Sequence, residues 1–205
     1  MSHAIAWTCA AMFVSAAAGQ VLEFESGGLK YHALTRAGVT VMVAPLPTRV
    51  LGYSILQVAV SNGSVEQQQV QAEKFQFRNA AGKTIQALSA RAVVNDVLKR
   101  AGRNDVGRLI GVYEAALFGN SHLELRFGYE ARRKDAMAIG GTKMRAAAAA
   151  AAIVLGTHKL DPGQSTDGAV FFPTSNKALG AGTLTLEAAG EVFEFTLAPE
   201  PAPAR

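Results

Sequence analysis

The residue types that most often catalyse reactions or bind metals are few and widely separated in this sequence. Its four histidines have no spacing that would place two of them on one metal ion, and they are His3, His32, His122 and His158. His32 alternates with apolar residues, which predicts a surface position on a strand. No serine lies in a G-x-S-x-G nucleophile elbow. The sequence therefore predicts neither a metal centre nor a nucleophilic catalytic site.

Two glycine-containing segments hold the residue types of known binding motifs, but at other spacings. Gly163 to Gly168 (GQSTDG) has a serine between glycines, and we predict that it is a loop leading into a strand. Asp161 and Asp167 flank this loop without the alternating acidic positions of a calcium site. Gly140 to Lys143 (GGTK) lacks the upstream glycine of a phosphate loop, so it is predicted to separate two helices. We expect no cofactor and no metal from these segments.

Positive charge is concentrated between positions 126 and 145. The residues that carry it form the candidate interaction surface of the protein: Arg126, Arg132, Arg133, Lys134, Lys143 and Arg145. A nucleic-acid surface would need stacking aromatic residues or a known reading module beside these charges, and the sequence shows neither. The main interpretation is a solvated helix face. The alternative is electrostatic contact with an anionic component of a cell envelope.

Length and composition allow one full-sized globular domain. The chain has 205 residues, of which 49% are hydrophobic and 18% are charged, and this composition excludes a wholly disordered protein. The net charge of +4 is mild. Such a charge permits attraction to anionic polymers, phospholipid surfaces or nucleic acid, but it specifies none of them.

The first eighteen residues have the features of a signal peptide. Ala4 to Val14 is an uncharged apolar run, too short for a transmembrane helix, and Ala16 and Ala18 supply the small residues of a cleavage site. No Lys or Arg precedes the run, and the alternative is a buried N-terminal helix. We expect cleavage after Ala18 and a periplasmic or secreted protein. Cleavage would remove the only cysteine, Cys9, and no later segment is apolar enough for a membrane anchor.

Short strands with alternating apolar residues occupy both ends of the remaining chain. In the first group, Tyr53 to Val60 (YSILQVAV) is the strongest candidate for an interior strand. Asn62 and Gly63 are predicted to supply the positive φ angles of a tight turn after it. The second group includes Ala169 to Phe172 (AVFF), a buried strand. Antiparallel strands joined by Gly and Asn turns predict a β-sandwich.

The apolar period changes to a helical one between positions 90 and 155. We predict one helix from Ser89 to about Ala101, a second beginning at Asp105, and a charged third from about Glu130 to Ile139. A fourth includes seven consecutive alanines, whose small side chains let a neighbouring element approach closely. His122 to Tyr129 fits a strand or a helix, and a helix is slightly favoured.

These segments predict a mainly β protein with an α insertion. Its single domain would span residues 19–198, with a helical block of three to four helices inserted at 90–155. The block interrupts one sandwich, because neither group of strands alone fills two sheets. Residues 199–205 form a proline-rich tail that is predicted to be disordered.

One segment resembles a known group of proteins. Leu160 to Pro173 (LDPGQSTDGAVFFP) is similar to a recurring feature of small bacterial extracytoplasmic immunoglobulin-like domains, including a family known as telomeric-repeat-binding-factor-like. Tyr53 to Ser61 would lie in the central sheet of such a domain, and Phe75 to Leu88 would form a hairpin. The segment Tyr129 to Ala138, with the alanines after it, looks like an insertion in uncharacterised secreted proteins. The resemblance implies an antiparallel immunoglobulin-like β-sandwich and no agreed activity.

The sequence favours a non-catalytic, exported interaction or structural module of the bacterial cell envelope. Its partner would be an envelope protein or an anionic envelope polymer, bound through the helical block, without nucleic acid or cofactor. One alternative is an envelope-polymer hydrolase with a site assembled from distant carboxylates such as Glu114, Glu124 or Glu130. Another is a carrier of an apolar ligand, with a pocket between the helices and the sheet.

Overall fold

The computed structural model describes residues 19–119 and 129–198, which form eleven strands and four α-helices. The strands that precede the helices are β1 (Leu22–Ser26), β2 (Leu29–Arg36), β3 (Val39–Pro45), β4 (Tyr53–Asn62), β5 (Gln68–Val70), β6 (Phe75–Asn79) and β7 (Thr84–Gln86). The helices are α1 (Ala90–Arg100), α2 (Asp105–Gly119), α3 (Tyr129–Ala138) and α4 (Thr142–Ile153). The strands that follow are β8 (His158–Leu160), β9 (Ser165–Pro173), β10 (Gly182–Ala188) and β11 (Glu191–Leu197).

The strands form two larger antiparallel sheets and a small third one. The first has five strands in the order β1-β2-β3-β4-β9, the second has four in the order β11-β10-β6-β7, and β5 pairs with β8. Each larger sheet combines strands from before and after the helices. The longest register joins β4 to β9, from Tyr53 opposite Pro173 to Ser61 opposite Ser165. The expectation of a mainly β protein with three to four helices is confirmed at this level.

The two larger sheets share one hydrophobic core. Alternate residues of the five-stranded sheet, such as Val41 and Val58, meet Phe77 and Phe195 of the four-stranded sheet, and all four side chains are buried. We call this side of the five-stranded sheet its sheet-facing side. Period-two alternation brings every second side chain of a strand to one face. Burying each such side chain contributes about 1.5–3 kcal/mol before the opposing loss of conformational entropy.

The other side of the five-stranded sheet, its helix-facing side, packs against the helical block in a second core. Ile55 and Phe171 from the sheet meet Val93, Leu109 and other apolar helix residues there. Strand β4 is therefore buried on both sides along most of its length. The alanine-rich α4 contacts each of the other three helices, as its small side chains predicted.

Local sequence signals account for the ends of the first helices. The Ser89 hydroxyl accepts a hydrogen bond of 3.3 Å from the backbone N–H of Ala92, so it caps α1. The Asp105 carboxylate at the start of α2 accepts a hydrogen bond of 2.6 Å from the backbone N–H of Gly102. Gly141 precedes α4 with a φ of 80°, a backbone conformation that favours glycine. These residues separate the helices at the predicted positions.

Two local predictions in the first half of the chain are wrong. His32 is 3% exposed, and its Nδ1 lies 3.2 Å from Oε1 of Glu23. Alternation with apolar residues predicted a surface position for His32. The prediction is wrong because both faces of the five-stranded sheet are covered by other elements. Neither Asn62 nor Gly63 has a positive φ. The buried Asn62 amide instead donates to the carbonyl oxygens of Glu66 and Leu160, at 2.7 and 2.9 Å, and Leu160 is distant in the chain.

Several expectations fall outside the described residues. These are the signal peptide at 1–18, the strand or helix at 122–128, and the proline-rich tail at 199–205. Tyr129, at the edge of the second of these segments, is the first residue of α3. Within 19–119 and 129–198, no helix has both the length and the apolar character needed to span a membrane.

Candidate functional site

A cleft of about 1080 Å³ lies between one end of the five-stranded sheet and the helical block. Residues from β3, β4 and β9 line it, together with residues from α1, α3 and α4 and from the segment 156–164. We call it the helix–sheet cleft. Its volume is similar to the roughly 300–1,000 Å³ of typical small-molecule sites.

Strand register brings two rows of side chains to the floor of the cleft. Met42, Ala59 and Asp167 stand opposite one another across β3, β4 and β9. In the next row Ser61 is opposite Ser165, and their Oγ atoms form a hydrogen bond of 2.9 Å. Both rows belong to the helix-facing side, because residues two apart in a strand share a face.

The end of α4 is fixed to the sheet beside this floor. The backbone N–H of Leu155 donates to the carbonyl oxygen of Ala169 at 2.9 Å, and Val154 forms a parallel bridge with Ala169. At Gly168 a Cβ atom would come within 2.6 Å of the Leu155 Cα, so only glycine permits this approach. The attachment places the side chains of Ala151 and Val154 in the lining of the cleft.

A buried tyrosine and a buried aspartate connect α2 to the floor. The Tyr113 hydroxyl donates a hydrogen bond to the Asp167 carboxylate, and both side chains are buried. Burial, with the charge of Asp167 as the next cause, raises the pKa of Tyr113 well above its ordinary value. Tyr113 therefore remains a protonated donor, and the carboxylate is held in one orientation.

The same contact extends to α3. The rings of Tyr113 and Tyr129 lie 5.2 Å apart, and the Tyr129 hydroxyl donates to Oε1 of Glu114 at 3.2 Å. Burial, followed by the charge of Glu114, raises the pKa of Tyr129. Arg133 forms an ion pair of 2.5 Å with the same Glu114 oxygen. These groups hold α2 and α3 together behind the cleft.

His158 stands at the mouth of the cleft, where its side chain lies close to Gly156. Desolvation and then the positive charge of Arg132 lower the pKa of His158, while the negative charge of Asp167 opposes them. The imidazole is therefore neutral at about pH 7.

Positive side chains outnumber negative ones among the described residues that line the cleft. These are Arg91, Arg132 and Lys159, whereas Asp167 is the only carboxylate that the described ranges contribute. Arg91 on α1 and Lys159 on β8 are exposed and form no ion pair with any residue of the described ranges. The Nε atom of Arg132 donates to the carbonyl oxygen of Ala152 at 3.1 Å. The charged side chains that line this part of the molecule are therefore mostly cationic.

The predicted interaction surface is spread over the helical block. Of its residues only Arg132 lines the cleft. Lys143 donates to the carbonyl oxygen of Lys99 at 3.1 Å, and Arg145 donates to that of Ile139 at 3.0 Å. Arg133 pairs with Glu114 as described above, and Lys134 is exposed. Arg126 lies outside the described residues.

Of the described carboxylates that sequence reasoning singled out, only Asp167 lines the cleft. Glu114 is held by Tyr129 and Arg133, Glu130 is exposed, and neither lines the cleft, while Glu124 lies outside the described residues. Asp161 accepts a hydrogen bond from Gln67 at 2.7 Å, away from Asp167. In the described part of the chain, no group of three His, Cys, Asp or Glu side chains is placed to bind a metal ion.

Sequence reasoning missed Arg91, His158 and Lys159, and it placed Asp167 in a loop. The sequence did contain a signal for Asp167, because this residue stands two positions before Ala169 in one strand. Residues two apart in a strand lie on the same face of the sheet. Nothing local in the sequence marks the other three, which the fold brings to one cleft from separate elements.

Comparison with known proteins adds little to this description. No family model matches the chain, and no curated protein matches it. Among solved structures, the yjhA protein from Bacillus subtilis matches with 10% sequence identity over 80% of this chain and 76% of that chain. The TM-score of that match is 0.32, which is too low to support an argument about fold or function.

Proposed function

We propose that this protein is a non-catalytic, exported binding module of the bacterial cell envelope that holds its ligand in the helix–sheet cleft. The observation that carries the proposal is the cleft itself, a space of about 1080 Å³ bounded by strands and helices. Concave sites of this size with a few convergent polar groups are the usual places where small molecules bind. The proposed contact thus involves the helical block, as the sequence-based hypothesis had it, and also the adjacent sheet.

Polar side chains in the cleft already form hydrogen bonds within the protein, and this supports a binding role over a catalytic one. Ser61 and Ser165 bond to each other, and Tyr113 holds Asp167. His158 forms no hydrogen bond with a hydroxyl group in the described ranges, so no serine or threonine there is paired with a base. The cleft thus offers surface and charge to a ligand instead of an activated nucleophile.

The proposed partner is an anionic component of the envelope. The apolar run and small residues of positions 4–18 support export, and the exposed Arg91 and Lys159 support attraction to negative charge. Export is tested by expressing the full chain in a bacterium and measuring the mass of the protein in each cell fraction. We expect a periplasmic or secreted protein that begins at Gly19, and an uncleaved cytoplasmic protein would contradict this part of the proposal.

We also propose that the two larger sheets form an immunoglobulin-like β-sandwich, as the resemblance of Leu160 to Pro173 implied. Two antiparallel sheets around one apolar core support this classification. Strands β1 to β4 are successive neighbours in their sheet, whereas immunoglobulin domains exchange strands between sheets, so the proposal concerns the layers and not the order of connections. An experimental structure whose paired sheets do not superpose on such a domain would overturn it.

Binding in the cleft is tested with N-phenyl-1-naphthylamine, an uncharged probe that fluoresces in apolar sites. We expect saturable binding of one probe per chain. Ala151→Trp fills the cleft from an exposed position on α4, and it should abolish the signal. The matched control is Ala138→Trp, at an exposed position of α3 outside the cleft lining, which should bind the probe as the unmodified protein does. Equal binding by both variants would contradict the proposed function.

A further inference from the structure

We infer that the helix–sheet cleft selects an amphiphile with one anionic head group, a carboxylate or a phosphate, and an aliphatic tail. This inference rests on the proposed function, because it names the ligand class of the same cleft. Three features of the lining carry it: two exposed cations, an apolar patch, and an absence of aromatic rings among its described residues.

The exposed cations provide the head-group site. Arg91 and Lys159 line the cleft from different elements, α1 and β8, and form no ion pair with the described part of the chain. Asp167, the one carboxylate among the described lining residues, is buried and already accepts a hydrogen bond from Tyr113. Carboxylate and phosphate groups form charge-assisted hydrogen bonds with Arg and Lys, and a partly enclosed cleft concentrates the field of such cations.

The apolar patch provides the site for the tail. Met42 and Ala59 on the floor, Val94 on α1, and Ala151 and Val154 at the end of α4 all line the cleft and retain exposure to solvent. A ligand that covers these side chains removes apolar surface from water, which favours binding in proportion to the area covered. A small inorganic anion would leave this patch exposed, so the combination favours an amphiphile.

The nature of the lining also favours an aliphatic tail over a nucleotide. Among the described residues of the cleft there is no Phe, Tyr or Trp. Proteins that bind nucleobases commonly stack them on such rings, and this cleft offers small and branched aliphatic side chains in their place. An unbranched alkyl chain fits this surface, because it needs contact area and not a stacking partner.

The test compares decyl amphiphiles with different head groups on the mature protein, each below its micelle-forming concentration. Decanoate, decyl phosphate, decanol and decylammonium compete with N-phenyl-1-naphthylamine. We expect the two anions to bind about tenfold or more tightly than decanol, as a charge-assisted hydrogen bond implies, and the cation to bind most weakly. Tighter binding of decanoate than decyl phosphate would identify a carboxylate site, and the reverse would identify a phosphate site.

Variants of the head-group site complete the test. The double variant Arg91→Gln/Lys159→Gln should lose about tenfold in anion affinity and keep its affinity for decanol. Each single variant is a conservative change at an exposed position and should lose part of the anion affinity. Lys83→Gln is the matched control, because Lys83 is exposed in the turn between β6 and β7, outside the cleft lining, and its replacement should leave anion affinity unchanged.

The outcomes separate the two proposals. If the uncharged probe binds in the cleft but anions, alcohol and cation compete equally, the ligand class inferred here is wrong and the proposed function stands. The same holds if the double variant keeps its preference for anions. If the probe does not bind, or binds equally when Ala151→Trp fills the cleft, the proposed function itself fails.

Discussion

The two sides of the five-stranded sheet are built differently. The sheet-facing side meets an apolar core of branched and aromatic residues, including Phe75, Phe77, Phe193 and Phe195. The helix-facing side also buries apolar residues, but its tyrosines bring hydroxyl groups inside, and it ends in an open cleft. An apolar core supplies stability from area alone, whereas buried polar groups demand specific partners. The first side is the larger apolar core, and the second side positions the helices that enclose the cleft.

The largest expected effect comes from the sheet-facing side. Phe195→Ala removes a fully buried ring on β11 and should lower the free energy of unfolding by about 3–5 kcal/mol. Val192→Ala on the same strand is the control, since Val192 is 48% exposed, and it should change stability by no more than about 0.5 kcal/mol. Urea unfolding measures both. Similar midpoints for the two variants would show that this core is not the main source of stability.

The next effect tests the buried polar contact of the helix-facing side. Tyr113→Phe removes the donor to Asp167 and leaves a buried carboxylate without that bond, which should cost about 1–3 kcal/mol. Tyr53→Phe is the comparison, because Asp96 keeps its hydrogen bonds to Arg100 when the Tyr53 hydroxyl is absent. We expect a smaller loss for Tyr53→Phe in the same unfolding experiment. An equal or larger loss would mean that Asp167 does not depend on Tyr113.

The pH dependence of anion binding tests the mouth of the cleft. The pKa of His158 is lowered by desolvation and then by Arg132, so the ring gains its proton only below about pH 6.5. Protonation adds a positive charge at the cleft, and affinity for decyl sulfate, whose charge is constant in this range, should rise severalfold as the pH falls from about 7 to 5.

Replacing His158 separates this effect from the rest of the protein. His158→Gln should remove the rise in affinity and leave binding at about pH 7 unchanged, because the imidazole is neutral there. Fluorescence competition at each pH measures the affinity. A rise in affinity that persists in the variant would show that His158 is not its cause.

The smallest expected effect concerns His32, a buried residue of β2 in the five-stranded sheet. Desolvation is the largest cause that lowers the pKa of His32, and the charge of Glu23 opposes it. In the unfolded chain, His32 therefore gains a proton near the ordinary histidine pKa of about 6.5. In the folded protein, it gains the proton only at a lower pH. The free energy of unfolding, measured in urea at each pH, should be constant above about pH 6.5 and decrease as the pH falls through that value. His32→Gln should reduce this decrease. Glu23 contributes only at lower pH, because Lys30 is the main cause that lowers its pKa.

The sequence predicted best where the information is local. The serine cap and helical spacing of α1 are sufficient for its bounds, and alternation is sufficient for β6 and β11, whose outer faces are solvated. Where a strand is covered on both sides, as around His32, alternation no longer distinguishes buried from exposed residues. Asn62 shows the same limit for turns, since its partner carbonyl at Leu160 belongs to another part of the chain.

The cleft depends even more on distant pairing. The register of β4 with β9 puts Ala59 beside Asp167, and a shift of one residue would turn Asp167 to the other side of the sheet. Arg91 and Lys159 meet the same space only after α1 and β8 have docked. No spacing rule connects such residues, so composition could indicate a basic protein but not which of its cations line one cleft.

The pairing of β4 with β9 also imposes an order of events during folding. Because β9 follows the whole helical block in the chain, β4 has an open edge until late in synthesis. Closing so long a loop is entropically costly, and proteins rich in such contacts fold slowly. Over that interval the edge of β4 is a place where another strand can pair, so a chaperone that occupies this edge would raise the yield of folded protein.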